Sequence, residues 1–187
     1  MKTKLLHFPI LCTFFILIIY ACQEHKNIKS QNTNNQKYYE ALTKAENCKS
    51  YNNLDSAFYF YNLSKNVVVN DSSNNKPIYS LLAMAEIQST SGDFVGSELT
   101  ATEALSYVNK YSNIDYISSL YNLLGMNYDN TFDFELSEKN YNKAISYLKN
   151  DLDKISMKNN IAVVAIDDLK YDKAKKLLDK LKSDKKY

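Results

Sequence analysis

The chain has no arginine and no tryptophan, and among its 187 residues only three glycines, two prolines, three cysteines and two histidines. So few glycines and prolines cannot supply the many tight turns of a β-sandwich or barrel, which leaves long helices as the expected architecture. Positive charge is carried by lysine alone, 23 of them against 21 acids. This near-neutral balance lacks the basic surplus needed to displace counterions, so nucleic acid is not an expected partner. Both histidines, His7 and His25, lie near the amino terminus. The remaining chain therefore offers no imidazole for general-base catalysis, for activating a nucleophile or for a His/Cys metal cluster. Gly92, Gly96 and Gly125 are too scattered to form a phosphate loop, and Ser146 with Lys149 reads as helix surface rather than as a nucleophile pair. No catalytic residue, metal or cofactor is expected, and the chain does not read as an enzyme.

What is present begins with a targeting segment. Lys2 and Lys4 precede an apolar run from Phe8 to Tyr20, broken only by Pro9 and Thr13. The stretch from Leu5 to Ala21 has 17 residues, fewer than the about 20 a spanning helix needs. Residues 1–21 therefore read as a signal peptide that is removed. The run ends in Ile19-Tyr20-Ala21-Cys22, which resembles the lipobox of bacterial lipoproteins. That resemblance implies cleavage before Cys22, diacylglycerol on its thiol and a lipid anchor in the cell envelope, on the periplasmic or surface face of the outer membrane. The other reading of the same residues is an ordinary cysteine after an uncleaved signal anchor. Residues 22–37 follow as the lipidated cysteine and a tether. Gln23 to Lys37 hold a single aliphatic residue, a composition expected to stay disordered, with an extended reach on the order of 50 Å. The opening Gln23-Glu24-His25-Lys26 resembles the charged export signal of Bacteroidota lipoproteins. With Cys12 removed and Cys22 lipidated, Cys48 has no partner and no internal disulfide is expected.

Residues 38–187 carry an internal repeat. From Ser118 the chain places Tyr121, Leu124, Gly125, Tyr128, Asp133, Phe134, Ser137, Tyr141 and Ala144 at offsets that resemble the tetratricopeptide repeat. The same pattern starts near residues 38, 78 and 155. In that family the eighth, twentieth and twenty-seventh positions are small because paired helices approach closely there. Here they are Ala45, Ala85, Gly125 and Ala162, then Ala57, Ser97, Ser137 and Ala174, then Ser64, Ala104, Ala144 and Leu181. Eleven of the twelve are Gly, Ala or Ser, where the overall content of 33 such residues predicts about two. Asn52-Asn53, Gly92-Asp93 and Asp133 mark turns, each followed by a large residue, Leu54, Phe94 or Phe134, with Tyr171 in the fourth unit. The units depart from the pattern at Lys44, Lys158, Gln88 and Ala101, and they are spaced by 40, 40 and 37 residues. The resemblance implies an all-α fold, a right-handed α-solenoid of about four helix-turn-helix repeats. Asp172 to Lys182 closes it, with Ala174, Leu177, Leu178 and Leu181 on one face.

By the same resemblance an inner groove for a protein or peptide ligand is lined by the first helix of each unit. Its residues are Tyr39, Leu42 and Glu46, Tyr79, Leu82 and Glu86, Asn122, Met126 and Asp129, and Asn159, Val163 and Asp167. Tyrosine offers rigid contact area, asparagine paired hydrogen bonds and the acids a preference for basic ligands. The charge is uneven along the chain. Residues 77–138 hold one lysine and nine acids, whereas residues 139–187 hold thirteen lysines and seven acids. This pattern suits steering of a charged partner, head-to-tail self-association or a plainly solvated surface. The sequence thus points to a membrane-anchored adaptor or scaffold. The alternative is a stand-alone or truncated sensor half of a repeat-containing regulator.

Overall fold

In a computed structural model, residues 33–68, 75–109 and 111–184 are described. The signal segment, Cys22 and most of the tether lie outside the described residues. Within them the chain forms helices and no strand. The helices are α1 (residues 33–50), α2 (Leu54–Val68), α3 (Lys76–Thr90), α4 (Phe94–Ser106), α5 (Ile114–Asn130), α6 (Phe134–Tyr147), α7 (Asp151–Asp167) and α8 (Tyr171–Asp184). Each packs on its neighbours in the chain, and α3 also meets α5. The result is an all-α helical repeat, four hairpins stacked in sequence order as a solenoid. Residues 33–37, read from sequence as the end of the tether, already belong to α1. There Gln36 Nε2 donates to Glu40 Oε1 at 2.9 Å, and Lys76 Nζ donates to Asn35 Oδ1 at 2.5 Å. Polar contacts of this kind, not apolar burial, extend the helix.

All twelve positions expected to be small at the helix contacts are buried. Eight of them, Ala45, Ala57, Ser64, Ala85, Ser97, Ala104, Ser137 and Ala144, are wholly sealed. The serines among them also solve a polar problem. Ser97 Oγ donates to the Ala85 carbonyl at 2.7 Å, and Ser137 Oγ donates to the Gly125 carbonyl at 2.8 Å. The twentieth residue of a hairpin thus bonds the eighth across the contact, and a hydroxyl that would be costly to bury alone has its partner. Gly125 is small for a measurable reason: a β-carbon there would stand 2.9 Å from ring carbons of Tyr141.

The four hairpin corners share one construction. Asn52, Gly92, Phe132 and Leu169 each take a left-handed backbone, with φ of 56°, 83°, 64° and 56°, and they recur at the 40, 40 and 37 residue spacing of the repeat. Their amides bond the carbonyls of Lys49, Ser89, Asp129 and Ile166, and the next amides reach back to Cys48, Gln88, Tyr128 and Ala165. This double closure is the Schellman ending of a helix. The following residue then begins the second helix: Asp93 accepts from the Gly96 amide at 2.9 Å, Asp133 from Leu136 at 3.1 Å and Asn53 from Ser56 at 3.2 Å. One residue therefore closes one helix and caps the next. Only the second corner uses glycine, the residue for which a left-handed backbone carries no steric cost. Phe132→Gly and Leu169→Gly are each expected to raise stability by about 1 kcal/mol. Urea denaturation checks this, and a lower midpoint for both variants would refute the strain argument.

Apolar packing runs in three clusters along the array. Ala45, Ala57, Tyr61, Ala83, Met84 and Ile87 join α1, α2 and α3. Ile78, Leu81, Leu82, Ala85, Ala101, Ala104, Leu120, Leu123 and Leu124 join α3, α4 and α5. Tyr141, Ile161 and Val164 join α6 to α7, with Leu177 of α8 packed against them. Among the described residues, every cluster member lies within the repeat region. Ala101, in place of a larger residue, is fully buried in the central cluster. Lys44 stays exposed and lies over the Phe60 ring at 5.6 Å. Two expectations fail at the last hairpin. Tyr171 is 61% exposed although Leu54, Phe94 and Phe134 are half-buried, and Leu178 is 37% exposed although it was read onto the buried face. Among the described residues no further hairpin follows α8 to cover them.

Candidate functional site

The first helices of the hairpins, α1, α3, α5 and α7, present the candidate groove. The structure gathers its predicted residues into separate places. Tyr39, Leu42 and Tyr79 line a cleft of about 250 Å³ with Tyr38, Asn75, Lys76 and Tyr116. The Tyr79 and Tyr116 rings are 5.6 Å apart, and Lys76 Nζ lies 5.2 and 5.1 Å from the centres of Tyr38 and Tyr39. Glu86, Asn122 and Met126 share a larger cleft of about 490 Å³, whose rim includes Lys49, Asn52, Ser89, Thr90 and Ser119. Leu82 is not available as a lining residue, because it is buried in the central cluster. Asn159 and Asp167 are exposed on α7, outside both clefts, as is Val163 at 49%.

Electrostatics divide the predicted acids into engaged and free. Glu46 accepts from the hydroxyls of Tyr61 at 2.8 Å and Tyr79 at 2.6 Å, joining the first three helices. Burial, then the Glu46 carboxylate, push both tyrosines well above their ordinary range. Glu86 pairs with Lys49 at 3.0 Å, with both side chains about two-fifths exposed, an arrangement worth roughly 0–1 kcal/mol. Asp129 and Asp167 have no ion pair among the described residues, and neither lines the two clefts. Burial raises the Asp129 carboxyl above the usual carboxylate range, and repulsion from Asp167 adds to it. Asp129 Oδ1 and Asn122 Oδ1 are both sealed and accept no hydrogen bond, while Asn122 Nδ2 makes a weak 3.8 Å contact with Met126 Sδ.

Three functional neighbours escaped the sequence reading. Tyr116 precedes the third repeat start, and Lys49 and Lys76 fall outside the groove positions, yet all three line the clefts. A signal for one of them exists in hindsight. Contacts between neighbouring hairpins join residues about one repeat apart: Lys49 with Glu86, Lys65 with Glu103, Ser89 with Asn127, and Asn75 with Asn113 are separated by 37 or 38 positions. Scanning for opposite charges at that separation would have found the Lys49 pair. Among the described residues no group of three His, Cys, Asp or Glu side chains could hold a metal ion.

No protein-family model and no curated protein matches the sequence. Among solved structures the chain is similar to the crystal structure of BtubC (BKLC) from P. vanneervenii, with a TM-score of 0.69 and 18% identity. The likeness covers 78% of this chain and 62% of that one, so this chain spans less than two thirds of its neighbour's length. At that identity the similarity establishes the helical-repeat fold alone.

Proposed function

We propose that the chain is a lipid-anchored envelope protein whose tetratricopeptide-like solenoid holds a protein or peptide against its first helices, serving as an adaptor without chemistry of its own. The observation that carries this reading is the 490 Å³ cleft on the solenoid face, where an exposed Met126 sits among Lys49, Glu86, Asn122, Ser119 and Ser89. An apolar anchor point ringed by donors and acceptors of both signs suits a polypeptide segment. The anchor rests on the Ile19 to Cys22 motif. Among the described residues no helix is long and apolar enough to cross a membrane.

Two measurements test the halves separately. Mass spectrometry of the mature protein is expected to find an acylated Cys22 at the amino terminus, and an intact Met1 would end the lipoprotein reading. Pull-down from membranes with Glu86→Lys combined with Met126→Glu is expected to lose at least about ten-fold of any specific partner, the effect of removing a small interface anchor. A partner set unchanged by both substitutions would remove this cleft as the binding surface.

A further inference from the structure

The smaller cleft, walled by tyrosines, has an unusual balance of polar groups. Its rings meet at an angle rather than lying flat on one another: Tyr38 and Tyr39 are 5.1 Å apart at 75°, and Tyr79 and Tyr116 are 5.6 Å apart at 50°. The acceptors around it are taken. Glu46 accepts from the Tyr79 hydroxyl at 2.6 Å, and Asn75 Oδ1 accepts from the Asn113 amide at 2.7 Å. The hydroxyls of Tyr39 and Tyr116 have no hydrogen bond among the described residues. Lys76 carries the one charge among the lining residues. The cleft therefore presents aromatic walls, two phenols able to donate and an ammonium group.

A polyproline II strand matches this chemistry. It has no internal hydrogen bonds and its prolines have no amide, so its carbonyls need donors and it offers none in return. Its rings seat against aromatic walls. The volume of about 250 Å³ is below the roughly 300–1,000 Å³ of a site that encloses a whole small molecule, so the cleft takes part of a longer chain. Lys76 already lies over the Tyr38 and Tyr39 rings, which turns away a cationic ligand and favours an acidic residue beside the prolines. A glycan suits the cleft less well, because its hydroxyls donate as well as accept and the carboxylate and carboxamide acceptors are engaged.

We propose that the tyrosine cleft recognises an extended, proline-rich segment of a partner protein that carries an acidic residue. Tyr39 and Tyr116 donate to its carbonyls, and Lys76 meets its carboxylate. The proposal deepens the adaptor reading and rests on it for the partner. Tyr39, Leu42, Glu46 and Lys49 follow at steps of three or four residues down one side of α1, Tyr39 in the tyrosine cleft and Lys49 on the rim of the larger one. That distance is about 15 Å along the helix, which about five residues of a polyproline II strand span. One segment can thus reach both clefts.

The test titrates the purified full chain by calorimetry with a short synthetic peptide of prolines around one glutamate. Binding is expected, at least about ten-fold weaker when glycine and serine replace the prolines and several-fold weaker when lysine replaces the glutamate. Tyr39→Ala, at an exposed position, is expected to weaken it about ten-fold. Tyr116→Phe is expected to weaken it several-fold, the effect of one lost hydrogen bond, and helical circular dichroism should be unchanged in both. The peptide is too short to need the second cleft, so Glu86→Lys with Met126→Glu should bind it like the parent even where that variant loses its membrane partners. Absence of binding at about 1 mM peptide, equal binding of the glycine-serine peptide, or full affinity in Tyr39→Ala would overturn the proposal and leave the adaptor reading to its own pull-down. Loss of the short peptide by the Glu86→Lys, Met126→Glu variant would also overturn it, placing the prolines in the other cleft. So would Tyr39-dependent binding of a gluco-oligosaccharide in place of the peptide, which would assign the cleft to a glycan.

Discussion

Stability is expected to fall by about 4 kcal/mol between neutral pH and pH 11, enough to unfold the array or bring it close to unfolding. Tyr38, Tyr61 and Tyr141 are 3%, 0% and 3% exposed. Burial pushes Tyr38 up to about 12 from an ordinary value of 10.0. It raises Tyr61, with help from the Glu46 carboxylate, and Tyr141, with help from Asp129, further still. The folded values lie above the unfolded ones, so the folded state holds these protons more tightly. Their stabilisation is complete below pH 10 and is lost as pH climbs through the folded values. Each group contributes about 1.4 kcal/mol per pH unit once the unfolded chain ionises and the native chain does not. Denaturation midpoints and tyrosinate absorbance followed together should show helix loss and tyrosine ionisation as one cooperative event. Tyr61→Phe should flatten the slope by about a third. Ordinary tyrosine titration with helix content intact past pH 11 would show that these phenols are not sealed.

Gly125→Leu is expected to cost about 3 kcal/mol or more, an overpacking effect at the upper end of the usual range. A β-carbon at this position already meets the Tyr141 ring at 2.9 Å, and α5 and α6 have no room to separate while Ser137 Oγ holds the Gly125 carbonyl at 2.8 Å. Tyr141→Ala alone should cost about 3–5 kcal/mol through the cavity it leaves. The two together should cost well below their sum, because the leucine fills space that the ring vacates. A strictly additive double variant would show that the two side chains do not compete for one site. Thermal unfolding of the three variants decides it.

The stacking of hairpins was legible in the chain because it depends on absence: where helices touch, large side chains cannot be present, and a row of Ala, Gly and Ser at fixed spacing survives in the sequence as a trace of that contact. The turns at Asp93 and Asp133 were legible from residue type, and both side chains also cap the helix that follows. The groove was less so. Glu86 and Glu46 read as free acids because their partners are distant in sequence: Lys49 is 37 residues from Glu86, and Tyr79 is 33 from Glu46. Asp133 marked the third corner, but nothing signalled the left-handed backbone at Phe132 or Leu169, since neither residue type favours it. The open end was missed as well. Tyr171 and Leu178 fit the repeat pattern by type, but a pattern assumes a neighbour on both sides, and α8 lacks one among the described residues.

Every bend within a hairpin closes its first helix in the same way, and in three of the four the next side chain also caps the second helix. Among the described residues the connections between hairpins differ in length: Ser106 to Ile114 spans the second to the third, and residues 148–150 join the third to the fourth. The repeated bend thus sets each pair of helices locally, whereas the order of the pairs is held by side-chain contacts such as Lys49 with Glu86 and Ser89 with Asn127.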